Sequence, residues 1–515
     1  MKYRSTRGKD TGFSFEDVVM TGLASDGGLF IPEGIPTLPE DWRNKWENYT
    51  FQQLSFAILR LFIDQAEIPD ESLREIIEKS YSTFTNKDVT PMVQIDSQAD
   101  TWILELFHGP TFAFKDVALQ FLGNLFEYFL KRRNSMHKDE SSPVNRITVV
   151  GATSGDTGGA AIYGLMGKEN VSLFIMHPNN RVSTIQKAQM TTVDEENIHN
   201  IAIEGTFDDC QDIVKLLFGR KEFNQKYSLG AINSINWARI LAQIVYYFHS
   251  YFSLVRAGKA QPKIVFVTPT GNFGDILAGH YAQRLGLPIA KLVIATNSND
   301  ILDRFFKSGA YEKGDGGVKE TPSPAMDILV SSNFERFLWY LARDHESKAD
   351  DLEGKGNDAG RIVAKWMDDL KLDGTTRVSG DAHKAARQYF LSGSTNNQKT
   401  YETIRAYYSP PEGSSHVNYL MDPHTAVGVN VANTLRAQLI EELGGDDFTT
   451  VCLSTAHPAK FVEAIEESLD GCEPKFEFSA ICPKQFVGIL DLKQKYKVLP
   501  NSADAVASHI EHTLL

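Results

Sequence analysis

The chain has 515 residues, of which 42% are hydrophobic and 23% are charged, and its formal net charge is −14. A chain of this length exceeds the size at which one hydrophobic core stops growing, so two or three domains are expected. The negative charge argues against a nucleic-acid-binding protein, which needs a basic surface. It also means that an anionic ligand must be held by basic groups close to it.

Several features of the sequence favour a cytoplasmic protein. The four cysteines form no CxxC pair, and sparse cysteines in a long chain are typical of a reducing compartment. The first ten residues are polar, so no secretory signal is expected. No run of 18 apolar residues occurs, so we expect no membrane span and no membrane partner.

The beginning of the chain predicts a small helix-rich domain over residues 1–92. Residues 14–23 have the periodicity of an amphipathic helix, and Ser14 can cap its start. Helical patterns return at about 50–64 and 70–80. We therefore expect the first domain to be built mainly from helices.

Residues 93–490 have a different pattern, in which short apolar strands alternate with helices. This order indicates an α/β fold, with parallel-sheet domains covered by helices on both faces. Ligands of such sheets bind beyond the C-terminal ends of the strands. We expect two α/β subdomains here, with a helical insertion over about 310–420, and a C-terminal helical tail over 491–515. The predicted strands are 101–107, 146–153, 171–178, 263–270, 291–297 and 448–458.

The segment HGPTFAFKD, residues 108–116, places Lys115 where a loop enters a helix. Burial beside Phe112 and Phe114, and the positive end of the helix, would both lower the pKa of its amine. A neutral amine is what Schiff-base chemistry requires. The same helix end favours the carboxylate of Asp116. Taken alone, the segment favours the simpler interpretation, an ordinary surface lysine at a helix start, because single lysines are mostly solvated.

A second segment, PTGNFGD (269–275), lies between a predicted strand and a helix. Gly271 and Gly274 allow a ligand to approach the backbone closely, and the free N–H groups of the helix start stabilise an anion. The segment is neither a P-loop nor a dinucleotide-binding loop, because it lacks both glycine patterns. It therefore predicts either a phosphate cradle or a turn that needs glycine only for its geometry.

A third segment, GATSGDTGGA (151–160), also joins a strand to a helix. Ser154, Thr157 and the exposed N–H groups of this turn could bind a carboxylate. The simpler interpretation is a helix cap, with Asp156 or Thr157 as the capping residue. A cap and an anion site are compatible, so both interpretations stay open.

Two further segments offer polar groups near strand and helix ends. LSTAHPAKF follows the last predicted strand and contributes Thr455 and His457, although a turn with satisfied hydroxyls is the simpler interpretation. NSINWARI begins a helix, and its Arg239 suits bidentate phosphate binding or an ordinary surface position. No HExxH, GxSxG or kinase motif set is present, so we expect neither metal catalysis nor a serine nucleophile.

In their order along the chain, these segments resemble the threonine synthases, in the longer branch that includes the fungal enzymes. The resemblance covers nearly the whole chain, and the last 40 or so residues are its least distinctive part. It is carried by YRSTRG, GLASDGGLFIP, HGPTFAFKDVALQF, GATSGDTGGAA, EGTFDDCQD, NSINWARILAQ, GNFGDILAG, SPAMDI, DPHTAVG and STAHPAKF.

The resemblance implies a tryptophan-synthase-β-like fold and pyridoxal 5'-phosphate as the cofactor, the class called fold type II. It implies that Lys115 holds this cofactor as a Schiff base and shuttles protons. The other roles that it implies are Gly271, Asn272, Phe273, Gly274 and Asp275 around the cofactor phosphate, Thr455 on the pyridine nitrogen, Ser154, Gly155, Asp156 and Thr157 on the substrate α-carboxylate, and Asn236 and Arg239 on the substrate phosphate, with Arg181 or Lys187 as further candidates.

The reaction implied by the resemblance is the last step of threonine biosynthesis. O-phospho-L-homoserine and water become L-threonine and phosphate, through γ-elimination and β-addition of water, in a monomer or homodimer without a nucleic-acid partner. One alternative is another enzyme of the same fold, such as a hydroxy-amino-acid dehydratase or a different phospholyase. The other is a non-catalytic binding protein that keeps the fold, which the intact Lys115 and phosphate loop disfavour.

Overall fold

The computed structural model describes residues 1–136, 144–314 and 316–514. Its strands are β1 Tyr3–Ser5, β2 Phe30–Pro32, β3 Met92–Asp96, β4 Thr101–Glu105, β5 Ile147–Ala152, β6 Val171–Pro178, β7 Ile198–Glu204, β8 Leu229–Gly230, β9 Ile264–Pro269, β10 Ile289–Thr296, β11 Ala310–Glu312, β12 Thr375–Arg377, β13 Phe390–Ser394, β14 Thr449–Ser454 and β15 Lys497–Pro500.

The α-helices are α1 Phe15–Thr21, α2 Trp42–Trp46, α3 Phe51–Phe62, α4 Asp70–Tyr81, α5 Lys115–Ser135, α6 Asp156–Leu165, α7 Thr184–Thr191, α8 Phe207–Gly219, α9 Lys221–Tyr227, α10 Trp237–Arg256, α11 Gly274–Leu285, α12 Ile301–Ser308, α13 Phe334–Leu341, α14 Leu352–Leu372, α15 Gly380–Tyr389, α16 Asn397–Tyr408, α17 Pro423–Leu443, α18 Val462–Ser468 and α19 Ala503–Leu514. Short 3₁₀ turns include Pro324–Met326 and Pro458–Phe461.

The N-terminal part contains the three helices predicted from the sequence, α1, α3 and α4. Ser14 caps α1 as expected, in a reciprocal capping box with Asp17. This part packs on α10, where the ring of Tyr3 lies 5.8 Å from that of Trp237. The hydroxyl of Tyr3 donates a hydrogen bond to the Phe62 carbonyl at 2.9 Å. These contacts attach the helix-rich N-terminal part to the helices that cover the larger sheet.

Two sheets form the body of the molecule. The larger has six strands in the order β13-β10-β9-β14-β4-β3, all parallel except the edge strand β3. The smaller has five parallel strands in the order β15-β7-β6-β5-β8. Parallel sheets need helices on their faces, and α5 and α10 are buried along most of their length for this reason. The predicted α/β fold with two parallel-sheet units is confirmed.

Two edge strands depart from the expected helical segments. β13 lies inside the segment predicted to be a helical insertion, and it extends the larger sheet beside β10. β15 lies inside the predicted helical tail and pairs with β7; residue 515 of that tail is outside the described part of the chain. Both strands have no more than five residues, which is too short for a period of two to be distinguished from a loop.

No α-helix in the described ranges combines the length and hydropathy needed to cross a membrane.

Candidate active site

Lys115 is the first residue of α5, and the loop that leads to it is held by the segment after β14. The Phe114 N–H donates to the Thr455 carbonyl at 2.8 Å, and Ala113 forms an isolated bridge with Ala456. Phe112 adopts the left-handed conformation, with φ 59°. The lysine expected at a loop-to-helix junction is therefore found there, with only 8% of its surface exposed.

Asp116, the next residue, fixes the shape of the same loop. Its carboxylate accepts hydrogen bonds from the Thr111 N–H at 2.8 Å and the Thr111 hydroxyl at 2.7 Å. Burial raises the pKa of Asp116 to about 6, against the lowering effect of these two donors. Asp116 thus stabilises the loop that precedes Lys115. These contacts give Asp116 a structural role and not a reactive one.

The amine of Lys115 faces a carboxylate that a second lysine also contacts. Its Nζ lies 3.5 Å from Oδ2 of Asp156, the first residue of α6. Oδ1 of Asp156 lies 2.8 Å from Nζ of Lys460 and accepts a hydrogen bond from Gln186 at 2.9 Å. Burial lowers the pKa of Lys115; Asp156 opposes this shift, while Lys460 and Arg239 add to it. The lysine is therefore biased toward the neutral amine that a Schiff base requires.

Asp156 itself is held in its ionised form. Its pKa is far below the ordinary value although burial acts in the opposite direction, because the charges of Lys460 and Lys115 stabilise the carboxylate. The cluster of Lys115, Asp156 and Lys460 joins the C-terminal ends of strands from both sheets, since α5 follows β4 and α6 follows β5. The candidate site is therefore a cleft between the two sheets, where α/β proteins bind ligands.

The segment 271–275 links the C-terminal end of β9 to α11. Phe273 is in the left-handed region with φ 61°, and its buried ring packs on Phe334 and Phe390. A side chain on Gly271 would bring a Cβ within 2.7 Å of the Ala325 carbonyl oxygen. Within the described ranges, the backbone N–H groups from Gly271 to Ile276 donate no hydrogen bond to the protein. This loop has the shape and the free donors of the predicted phosphate cradle.

Gly274 and Asp275 begin α11, and the Asp275 side chain turns into the protein interior. It accepts hydrogen bonds from the hydroxyls of Tyr246 and Tyr247. Burial raises the pKa of Asp275 to about 7, while the two tyrosine hydroxyls act against this shift. Its Oδ2 is buried and has no hydrogen-bond partner in the part of the chain that the structure describes. The carboxyl therefore supports the start of the helix from the protein interior.

The segment 154–157 links β5 to α6 in the second sheet. Gly155 has a φ of 148°, and a side chain there would bring a Cβ within 2.3 Å of the Gln186 side chain. The hydroxyls of Ser154 and Thr157 are half-buried and form no hydrogen bond within the described ranges. In the structure, this turn begins α6 and also leaves hydroxyl donors available for an anion. The two interpretations that the sequence left open, a helix cap and an anion site, are therefore compatible.

Thr455 follows β14, the strand next to β9 and β4, and is 6% exposed. Its carbonyl holds Phe114, and its hydroxyl has no hydrogen-bond partner in the described part of the chain. His457, two residues on, accepts a hydrogen bond from the Ala459 N–H, and burial lowers its pKa to about 4. Thr455 therefore offers a free hydroxyl beside the Lys115 loop, whereas His457 is a neutral structural histidine.

Arg239 is a buried cation with few partners. It is 3% exposed; Nη1 donates to the Ile232 carbonyl at 3.0 Å, and Nε has no hydrogen-bond partner among the described residues. Burial alone lowers its pKa to about 10, and no carboxylate opposes this shift. An orphaned buried guanidinium that acts electrostatically on Lys115 fits an anionic ligand in the cleft.

The other predicted phosphate ligands are placed less favourably. Asn236 caps α10: its Oδ1 accepts from the Ala238 N–H at 3.1 Å, and its Nδ2 donates to the Val19 carbonyl at 2.9 Å. Arg181 is exposed. Lys187 lies against Tyr496, with Nζ 4.7 Å from the ring centroid. Their predicted roles have no support from these contacts.

Lys460 and the pair Asp422–His424 were not assigned roles from the sequence. His424 Nδ1 lies 2.8 Å from Asp422 Oδ1, and its Nε2 accepts from the Ala325 N–H at 3.2 Å. The histidine therefore supports the turn that packs against Gly271. The only signal for these residues was their presence in the STAHPAKF and DPHTAVG segments, because spacing alone cannot show which distant strand ends meet.

Comparisons with known proteins agree with this architecture. Residues 2–81 match the family described as threonine synthase N terminus, and residues 425–510 match threonine synthase, C-terminal. Threonine synthase of Schizosaccharomyces pombe is 50% identical over 500 residues, covering 95% of this chain and 94% of that protein. Threonine synthase of Saccharomyces cerevisiae is 50% identical over 517 residues, covering 99% and 98%.

Solved structures give the same result. The crystal structure of threonine synthase from yeast matches with a TM-score of 0.91 and 50% identity, covering 100% of this chain and 98% of that one. The pyridoxal-phosphate-bound threonine synthase from Brucella melitensis matches with a TM-score of 0.85 and 40% identity, covering 100% and 99%. Fold and relatives define a pyridoxal-phosphate-dependent lyase of fold type II. Within that class, the chain belongs to the threonine synthase family, and its substrate is a small molecule.

Proposed function

We propose that this enzyme converts O-phospho-L-homoserine and water to L-threonine and phosphate, with Lys115 as the residue that carries pyridoxal 5'-phosphate. The observation that carries the proposal is the buried amine of Lys115, which lies 3.5 Å from Asp156 at the helix start after β5. Lys115 itself follows β4, which belongs to the same parallel sheet as β9 and the loop after it. A loop with free backbone N–H groups therefore continues from each sheet, so the site can hold two anionic groups near one amine. That arrangement suits a phosphorylated cofactor together with an α-amino acid.

We assign the cofactor phosphate to the loop formed by Gly271, Asn272, Phe273, Gly274 and Asp275. Its unpaired N–H groups, and the lack of space for a side chain at Gly271, support this assignment. The hydroxyl of Thr455 would hold the ring nitrogen of the cofactor. When bound, the cofactor supplies an electron sink for the bonds at the substrate Cα. A hydroxyl partner, unlike a carboxylate, leaves the ring nitrogen largely unprotonated.

We assign the substrate carboxylate to Ser154, Gly155, Asp156 and Thr157, through the free hydroxyls and N–H groups of that turn. The substrate phosphate is assigned to Arg239, because its guanidinium is buried, cationic and without a carboxylate partner. Asn236 remains a weaker candidate, since both of its polar atoms already serve the cap of α10 and the contact with Val19.

Lys115 Nζ is the proposed proton carrier. It accepts protons from the substrate Cα and Cβ and returns protons to Cγ and Cα. Phosphate leaves Cγ, the hydroxyl of water adds at Cβ, and the remaining proton of that water goes to the departing phosphate. A buried lysine with a lowered pKa suits both directions of transfer, because general acid–base catalysis is most efficient when the pKa lies near the working pH.

We further propose that the enzyme works in the cytoplasm as a monomer or homodimer. The proposed units are an N-terminal domain over 1–92, a catalytic region over 93–490 and a C-terminal segment over 491–515. Sparse free cysteines support the compartment, and the family match over residues 2–81 supports a separate N-terminal unit. The oligomeric state is testable by light scattering of the purified protein.

The proposal is tested with Lys115→Ala, compared with Lys131→Ala, which removes a half-exposed lysine from the same helix. Lys115→Ala should lose the visible absorbance of the bound cofactor and reduce turnover about 10³-fold or more. Lys131→Ala should keep both. The products from O-phosphohomoserine, separated by chromatography, should be threonine and phosphate in equal amounts. A 2-oxo acid as the main product would support a dehydratase or phospholyase, and unchanged spectrum and turnover in Lys115→Ala would refute the assignment of Lys115.

A further inference from the structure

Lys460 occupies a position where a lysine is costly. It lies in the 3₁₀ turn Pro458–Phe461 that follows β14, and its side chain is 0% exposed. Its ammonium lies 2.8 Å from Asp156 Oδ1 and donates a hydrogen bond to the Thr111 carbonyl at 2.7 Å. A buried ammonium is tolerated only when it is paired and hydrogen-bonded. Both requirements are met by groups that also shape the surroundings of Lys115.

Asp156 is shared unequally between two lysines. Lys460 contacts Oδ1 at 2.8 Å, whereas Lys115 lies 3.5 Å from Oδ2. One carboxylate can neutralise one ammonium. It interacts more strongly with Lys460, because Lys460 is closer to it and fully buried. Lys115 is consequently left without a counter-ion of its own.

The other charged groups near Lys115 and Asp156 do not provide Lys115 with a counter-ion. The groups that act on Lys115 or Asp156 are Lys460 after β14, Arg239 on α10, and His424 on α17. Asp116, next to Lys115 in α5, is held by both donors of Thr111. Apart from Asp156, the groups that act on the Lys115 charge are therefore cations.

We infer that Lys460 is a positioning residue that neutralises Asp156 and so keeps the Lys115 amine without a dedicated counter-ion, available in its neutral form. The inference rests on the proposed role of Lys115, which needs that form as a nucleophile and as a base. Lys460 also fixes the Lys115 loop through Thr111. Its charge must therefore be tested separately from its packing.

The test follows the protonation of Lys115 in the cofactor-free protein. The rate at which a small acetylating reagent modifies Lys115 is measured against pH by mass spectrometry of its peptide. In Lys460→Met, the midpoint should rise by about one pH unit or more, which makes Lys115 about tenfold less reactive below the midpoint. Lys460→Arg keeps the charge and should keep the midpoint. Lys131→Met is the control for the loss of a lysine elsewhere on α5.

Two further variants separate charge from structure. Asp156→Asn removes the carboxylate, so the midpoint should fall below that of the wild type. The double variant Lys460→Met/Asp156→Asn removes both charges, and its midpoint should return to about the wild-type value. Asp156→Asn also provides an independent arm if Lys460→Met does not fold.

Equal midpoints in Lys460→Met and the wild type would overturn the inference. So would equal shifts in Lys460→Met and Lys460→Arg, because packing would then explain the effect, and so would an unchanged midpoint in Asp156→Asn. Failure of the wild-type enzyme to form threonine would contradict the proposed substrate while leaving these amine measurements interpretable. The two proposals can therefore fail separately.

Discussion

The two glycine-containing loops of the candidate site are held in different ways. The cradle loop at 271–275 is fixed by another element: the Ser331 hydroxyl donates to the Gly271 carbonyl at 2.6 Å, and the Asn333 N–H and side chain both donate to the Asn272 carbonyl at 3.0 Å. Its Phe273 is anchored in an aromatic cluster.

The loop at 154–157 is fixed mainly through charge and through its own backbone. The Thr153 hydroxyl accepts hydrogen bonds from the N–H groups of Gly155 in the loop and of Gly158 in α6, and Asp156 connects the loop to Lys115 and Lys460. The hydroxyls of Ser154 and Thr157 are left free. A rigid, packed loop suits a cofactor that stays bound, whereas a loop with free hydroxyls and a charge-dependent anchor suits a substrate that arrives and leaves. Changes in the first loop should therefore affect cofactor binding, and changes in the second should affect substrate binding.

The largest expected effect is a difference in the free energy of unfolding between variants of two buried arginines. Arg336 supports the cradle side through hydrogen bonds to the carbonyls of Phe30 and Ile235 and to the Asn333 side chain. Arg336→Met leaves these acceptors unpaired, so the free energy of unfolding should fall by about 2–4 kcal/mol. Arg239→Met removes a desolvated charge with one hydrogen bond, so the cofactor-free protein should lose no more than about 1 kcal/mol.

Denaturant unfolding of both cofactor-free variants measures this difference. Arg239→Met should in addition raise KM for phosphohomoserine. Equal destabilisation of the two variants would show that Arg239 is a structural residue and would remove it from the substrate site.

The cradle is tested more directly by Gly271→Ala. The new Cβ would lie 2.7 Å from the Ala325 carbonyl, which belongs to the backbone and cannot rotate away. Overpacking of this kind costs about 1–3 kcal/mol, so cofactor affinity measured by absorbance titration should fall about tenfold or more. Gly159→Ala in α6 is the matched control, because a Cβ there meets nothing within 4 Å. Equal affinity in the two variants would contradict a cofactor seated on this loop.

The smallest expected effect belongs to the hydroxyls of the second loop. Ser154→Ala and Thr157→Val each remove one donor that is unpaired within the described ranges. Each should raise KM for phosphohomoserine about fivefold, equivalent to about 1 kcal/mol for one hydrogen bond, without changing cofactor content. Steady-state kinetics and absorbance on the same samples separate these effects. Loss of cofactor in either variant would contradict the assignment of the cofactor to the loop at 271–275 and of the substrate to the loop at 154–157.

The sequence was most informative where the local pattern was long or had a special geometry. The cap of α1 at Ser14 and the glycine-rich turns between strand and helix were visible because caps and turns depend on residues a few positions apart. The edge strands β13 and β15 were not, because short strands form when a sheet edge is available to pair with them.

The candidate site shows the same difference between features set by local sequence and features set by contacts between distant segments. Lys115 and the two loops could be located from their segments, whereas the meeting of Lys460 with Asp156 depends on two sheets facing each other across the cleft. Asn236 shows the limit of a local pattern: a polar residue at a helix start suits a ligand or a cap, and in the structure it caps α10. Which of several lysines is reactive is a property of burial and pairing, and these are set by the tertiary structure.

The most direct test of the account is to identify the lysine that carries the cofactor. The purified enzyme is reduced with borohydride in the presence of pyridoxal phosphate, digested, and its peptides are analysed by mass spectrometry. The account predicts a single adduct on Lys115. An adduct on Lys460, which contacts the same Asp156 carboxylate, or modification spread over surface lysines, would contradict it.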